Sequence, residues 1–363
     1  CPDWAPGDLI VWGDAGHGGN IDTLYLKKEL HDIQKMAFTQ YSFGAIRRDG
    51  AVLTWGNPRN GGHPDDDVKS KLNHSVRAIA GTNTAFSALK WDGSVISWGD
   101  PEEGGSQRTM ADKLNSSIRS LYSNEHAFVA VKADDGSLIP WGSEPFGGHL
   151  DEQDMDEFRD VVQVAHSWAA FAALNSTGSV KAWGDYSLGG DAKKVASKLN
   201  SGVIELFATR RAFAALKEGG EVVAWGAMCC GGDVGSVGDK LTSDVLDIVA
   251  NRDAFAALKT NGTVITWGSP FHGGDSSLVS DSLAEGVVEI LAFPGAFTAY
   301  KSDGSSVHWG DTSVDLEHYR TEQGTDIKIF TNGLASAALI VWRPECPQYS
   351  TSTTTTTTTT TTT

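Results

Sequence analysis

Apolar residues in this chain come in short runs that repeat at a regular interval. In residues 254–275, AFAALKTNGTVITWGSPFHGGD, one β-prone run from Ala254 to Lys259 is followed by the dipeptide Asn261-Gly262, and a second closes on Trp267-Gly268. Two such runs around Asn-Gly predict a hairpin, because both turn positions need positive φ and these residues tolerate it. Aligned turns stand at Asp49-Gly50, Asp92-Gly93, Asp135-Gly136, Thr177-Gly178, Gly219-Gly220 and Asp303-Gly304. A further short β-prone run precedes the hairpins, as in Val76 to Ala80, Val203 to Phe207, Val245 to Val249 and Val287 to Leu291. After Trp-Gly come a Gly-Gly loop and an amphipathic stretch with paired apolar residues, such as Val68 and Leu72, Met110 and Leu114, Val195 and Leu199, Val279 and Leu283. Each unit is therefore three strands and a helical turn or two, too small to bury its own apolar face and stable only against its neighbours.

Trp-Gly pairs begin at Trp12, Trp55, Trp98, Trp141, Trp183, Trp225, Trp267 and Trp309, spaced 43 residues three times and then 42 four times. That is a tandem repeat. The segment from Gly7 to Gly13 matches only the second half of a hairpin, and Leu334 to Trp342 only the first half, with Ile327 to Phe330 as its leading strand. If the two halves pair, they complete one unit and close the array into a ring without exposed sheet edges. The expected fold is an all-β propeller of about eight blades, alternatively seven with an irregular closure, with short helical turns between blades. Residues 1–349 would form the propeller and 350–363 a threonine-rich tail.

The pattern Val-x-x-Ile-x-Ala, then Ala-Phe-x-Ala-Leu-Lys-x-Asp-Gly-x-Val-x-x-Trp-Gly-x-x-x-x-Gly-Gly, resembles the repeat of the regulator of chromosome condensation family of β-propellers, over residues 8–342. The resemblance implies the fold. It departs from the family in shorter repeats, in Phe where those proteins commonly carry His, and in Gly-Gly-Asp for the usual Gly-Gln-Leu-Gly. The family's nuclear members exchange nucleotide on a small GTPase and bind chromatin through an inserted wedge and basic segments that this sequence lacks, so that function is not carried over.

Composition narrows the partners. A net charge of −17 over 363 residues disfavours binding to a phosphate backbone, so no nucleic-acid partner is expected. No apolar run approaches the roughly 18 residues of a membrane helix, so no membrane insertion is expected. The chain begins at Cys1 without methionine or signal peptide, as a processed secreted protein does, and the expected location is extracellular.

Candidate chemistry is sparse. The repeated tryptophans read as core, each burying on the order of 200 Å²; Trp4, Trp91 and Trp168 fall outside that register, and Trp91, beside a turn, is the better candidate for a sugar or partner contact. His17, His63, His149 and His272 all follow Trp-Gly pairs, without a carboxylate at fixed spacing, so no metal site is expected. The acidic runs Asp65 to Asp67 and Asp151 to Glu157 lack the alternating ligands of a calcium loop. No nucleophile elbow, phosphate loop or metalloprotease helix is present. The chain is read as no enzyme and without a cofactor.

Four cysteines allow three pairings. Cys1 precedes the first half hairpin and Cys346 follows the last, so a bond between them would clasp the ring; Cys229 and Cys230 are adjacent, and a vicinal disulfide, free thiols or an intermolecular bridge are the alternatives. Sequons stand at Asn73, Asn115, Asn175 and Asn261, the first two at one point of the repeat and the others at or beside hairpin turns. The tail offers Thr351, Thr353, Thr354, Thr355, Thr356, Thr357, Thr358, Thr359, Thr360, Thr361, Thr362 and Thr363 as O-glycan acceptors, since such a tract cannot fold by itself. The functional expectation is a secreted structural or adhesive glycoprotein, a filament or appendage subunit whose tail links copies into a linear assembly. A carbohydrate-binding propeller is the alternative, and a propeller enzyme a lesser one.

Overall fold

The computed structural model describes residues 9–20, 28–311, 327–331 and 335–340. They contain eight three-stranded antiparallel sheets, each a blade. Blade one is Ile33–Phe38, Ser42–Arg47 and Val52–Gly56; blade five is Val203–Ala208, Ala212–Lys217 and Val222–Gly226; the others follow the same plan. The eighth is split: Ile327–Thr331 and Ala335–Ile340 are completed by Leu9–Gly13, with Leu9 opposite Leu339 and Gly13 opposite Ala335. First strands of neighbouring blades lie side by side around the axis, Ile33–Phe38 against Val76–Gly81 on one side and against Ile327–Thr331 on the other. The ring expected from the two half units is therefore closed, and the count is eight.

Why the repeat carries Phe, Trp and Gly-Gly is visible at each joint between blades. In blade five Phe213 pairs across the strands with Trp225, the rings 5.3 Å apart and nearly parallel. The indole Nε1–H then leaves its own blade and donates to the Gly189 carbonyl, in the loop of the blade before, at 2.9 Å. Seven tryptophans, Trp55 to Trp309, make this bond at 2.9–3.2 Å. Gly189 has φ +102°, and a Cβ there would lie 2.4 Å from the Phe213 ring, so only glycine lets the loop settle on the next blade.

Trp12 breaks the pattern. Expected in the core with the others, it is 44% exposed, and the sequence after Trp309 has no Gly-Gly pair. The expected helical turns are mostly single turns: Asp66–Lys71, Glu152–Glu157 and Ala196–Leu199 are α-helical, while Arg108–Leu114, Gly235–Leu241 and Ser277–Val279 are 3₁₀. Such short pieces cannot hold a helix by propensity. Most are pinned by one leucine, with Leu72, Leu114, Leu199, Leu241 and Leu283 all buried.

In blades one to seven the residue before the first strand sits in the left-handed region, where Gly202 and Gly286 are at ease and Asp160 and Asp244 are not (φ 55° and 64°). Left-handed backbone costs an L-residue about 1 kcal/mol, partly offset by the extra freedom glycine brings to the unfolded chain. Asp244→Gly is therefore expected to leave the fold intact and raise stability by about 0.5 kcal/mol; urea titration would show it, and a clear loss would mean that the Asp244 carboxylate has a role of its own.

Candidate functional site

Each blade has two ends. At one lie the hairpin turns and the starts of the first strands. At the other lie the Trp-Gly loops and the short connections between first and second strands. These connections hold two fixed positions around two that vary.

The first fixed residue is Thr39, Thr82, Asn124, Ser167, Thr209 or Asn251 in blades one to six, and its side chain ties the connection to the Gly-Gly loop. Thr209 Oγ1 donates to Cys230 O at 3.0 Å, and Asn124 Nδ2 donates to Phe146 O at 2.7 Å. The next residue is Gln40, Asn83, Glu125, Trp168, Arg210 or Arg252, different in chemistry almost every time. Their backbones form a relay around the axis: each N–H donates to the carbonyl of the next blade's counterpart, from Gln40 to Asn83 (2.8 Å) through to Arg210 to Arg252 (2.9 Å). A backbone held this way on every blade, with a side chain that changes on every blade, is how a repeat scaffold builds a recognition surface.

A cavity of about 590 Å³ opens at this mouth, with Phe38, Asn83, Glu125, His166, Trp168 and Arg210 among its walls. Trp168 is 37% exposed, its ring covered by the Arg210 guanidinium at 5.5 Å and approached by the His126 ring at 5.8 Å. His126 Nδ1 lies 3.0 Å from Glu103 Oε1. Glu125 and His166 both touch solvent yet stand among converging strands. That enclosure raises the Glu125 carboxyl above its ordinary value, against the pull of His126 and Arg210, and lowers the His166 imidazole below its own. An aromatic face, a planar cation, a carboxyl and amides around one opening can stack on and hydrogen-bond a polar ligand. A larger cavity, about 730 Å³, lies at the outer rim of blade six against Val264–Gly268 and the 235–241 turn, away from the variable positions.

Trp168 was only out of register in the sequence, and Arg210, Glu125 and Asn83 carried no motif; comparison of the repeats at that single position is the signal that finds them. Trp91 is 75% exposed as expected, but at the hairpin end, with Arg77 over its ring. The four loop histidines are not brought together. His17 bonds to Asp14, His149 lies 3.7 Å from Asp151, and His272 meets Ser269 at 3.0 Å, while His63 is exposed. Among the described residues no three metal-ligating side chains cluster.

Cys229 and Cys230 stand as free thiols in the structure, one exposed and one buried. They occupy a 3₁₀ turn, which directs successive side chains about 120° apart. Burial, and the neighbouring Cys229 and Asp253, push the Cys230 thiol up to about 12, leaving it inert at neutral pH. Cys1, Cys346, Trp4 and the tail threonines, Thr351 and Thr353 to Thr363, lie outside the described residues. Asn73, Asn115 and Asn261 are exposed; Asn175 is half-buried, its Oδ1 accepting from Thr177 and Ser179.

No family model and no curated protein matches the chain. Among solved structures it is similar to Prp20p from Saccharomyces cerevisiae, described with its binding to Gsp1p and histones, at 15% identity over 94% of this chain and 92% of that one, with a TM-score of 0.47. Human WBSCR16 is similar at 15% identity over 66% and 76%, TM-score 0.42. The ectodomain of the Arabidopsis thaliana receptor kinase ACR4 is similar at 13% over 77% and 97%, TM-score 0.38. Likeness at this level carries no argument about partners or activity. The propeller rests on the eight sheets and their order around the axis.

Proposed function

We propose that this chain is an extracellular adhesive glycoprotein that acts by recognition at its loop end and carries N-glycans at its hairpin end. One observation carries the reading: all four sequons share the hairpin end. Asn73 and Asn115 stand just before the first strands Val76–Gly81 and Ile118–Ser123, Asn175 ends a second strand, and Asn261 is in a hairpin turn. Sequons scattered by chance would fall at both ends. Glycans confined to one end leave the cavity at Trp168 and Arg210 uncovered. The threonine tail, stiffened by O-glycans, links such propellers into a linear assembly. The cavity also favours a second reading, a lectin-like propeller whose ligand is a sugar stacked on Trp168.

Intact mass before and after N-glycosidase treatment tests the first claim, with at least two sites expected to be occupied, Asn73, Asn115 and Asn261 before the half-buried Asn175. An unchanged mass would sink it. Binding of the native protein to arrayed glycans and to surfaces of its own source tests the second. Trp168→Ala and Arg210→Ala are each expected to lower binding at least about ten-fold, since a stacked aromatic or a bidentate Arg contributes 1.4 kcal/mol or more on the order of a hot spot. Binding that survives both variants would place recognition elsewhere, and particles that stay monomeric with the full tail would remove the linear assembly.

A further inference from the structure

The hairpin-end mouth of the ring is built differently from the loop end. In blades one to seven the first strand opens with a bulge: in blade five Val203 faces Lys217 and Glu205 faces Leu216, which leaves Ile204 over. The same shift recurs from Ile33/Lys35 to Val287/Glu289. A bulge re-aims the extra side chain and its follower.

In blades one to four these side chains reach along the ring to the next first strand. Lys35 Nζ donates to Arg77 O at 2.9 Å, Arg77 Nη2 to Ile118 O and Arg119 O at 3.1 and 2.7 Å, Arg119 to Val161 O, and Gln163 Nε2 to Leu206 O at 2.8 Å. From blade five the chemistry inverts. The follower is Glu205, Asp247 or Glu289, which cannot donate when ionised, and no side chain among the described residues donates to the matching carbonyls of Leu246 and Val288. The extra residue is aliphatic and open to solvent on four successive blades: Val162 (57%), Ile204 (54%), Leu246 (62%) and Val288 (59%). Burial, with the neighbouring Asp247 carboxylate adding to it, raises the Glu205 carboxyl above its ordinary value.

We propose that this arc docks a basic, apolar-flanked peptide segment of a partner protein. Lysine or arginine stems would lie along the four aliphatic side chains, as such stems cover apolar surface elsewhere. Their charged heads would meet Glu205, Asp247 and Glu289, supplying in blades five to seven the cations that Lys35, Arg77 and Arg119 supply within the chain in blades one to three. Charge complementarity selects the occupant: an apolar segment alone would leave three carboxylates desolvated beside it. The inference is independent of the loop-end reading, since it uses the opposite end of the ring.

The test is anisotropy titration of the full, natively glycosylated chain with a labelled synthetic peptide alternating lysine and leucine. Its controls are a glutamate–leucine counterpart and polylysine. The lysine–leucine peptide is expected to bind and the glutamate–leucine peptide not to. Asp247→Asn with Glu289→Gln, and separately Leu246→Ser, are each expected to weaken binding about ten-fold or more, while Trp168→Ala at the loop end changes it less than about two-fold. These side chains are exposed, so the variants should keep the wild-type circular dichroism and melting behaviour. Absence of binding at low salt overturns the proposal. Polylysine binding as tightly overturns it too, because that would reflect the overall negative charge alone. A solution dimer that Leu246→Ser dissolves would show that a second copy is the occupant, again against it.

Discussion

Trp225→Ala is expected to lower stability by about 3–5 kcal/mol, while the same change at Trp12 costs about 1 kcal/mol or less. Trp225 is 4% exposed, packs on Phe213, and satisfies the Gly189 carbonyl of the preceding blade. Truncation removes the largest side chain of the joint, leaves a cavity that the rigid second strands cannot close, and orphans a buried acceptor. Trp12 already spends much of its surface on solvent. Gly189→Ala reaches the same joint from the other side, driving a Cβ into the Phe213 ring, and should cost a comparable amount. Chemical denaturation of the three variants checks this. Equal losses at Trp225 and Trp12 would show that the indoles act by bulk hydrophobicity and not through the joint.

The second large effect concerns ring closure. Leu9 opposes Leu339, so the chain before the one and the chain after the other leave blade eight from the same end, eight and seven positions from Cys1 and Cys346 respectively. A Cys1–Cys346 bond is the expected clasp. For so long a loop the chain-entropy model gives roughly 5–6 kcal/mol as an upper figure. Cys346→Ser, or reduction of the native protein, is expected to lower the melting temperature strongly while leaving the sheets in place at low temperature. Cys229 and Cys230 stand at the loop end of blade five, at the other end of the ring from Leu9 and Leu339. Peptide mapping without reduction that finds a cross-link from Cys1 to either, or no change in melting on reduction, would remove the clasp.

Much of the architecture was legible from sequence because it is local and repeated. Asn-Gly and Asp-Gly mark the hairpins, although only the glycine takes positive φ there and the residue before it does not, so these are not the turns with both positions left-handed that the dipeptide predicts; Trp-Gly at a period of 42–43 residues repeats one packing solution, so the strands, their order and the split blade could all be read from short-range pattern. The role of Gly-Gly was not: it depends on a phenyl ring in the following blade, a contact that exists only once blades are stacked. Nor was the exposure of Trp12.

The two mouths show the same division. Gln40, Asn83, Glu125, Trp168 and Arg210 are scattered at intervals of 42 or 43 residues and match no motif, yet ring closure places them around one opening. Val162, Ile204, Leu246 and Val288 look like ordinary interior residues of β-strands; a one-residue bulge, decided by how each first strand meets its partner, turns them to solvent. The sequence by itself determined the repeat, the turns and the closing halves, because those follow from local conformational preference and periodicity. Which residues meet at an axis, and which face water, was decided by tertiary structure, because both depend on where neighbouring blades stand and not on the residues' own preferences.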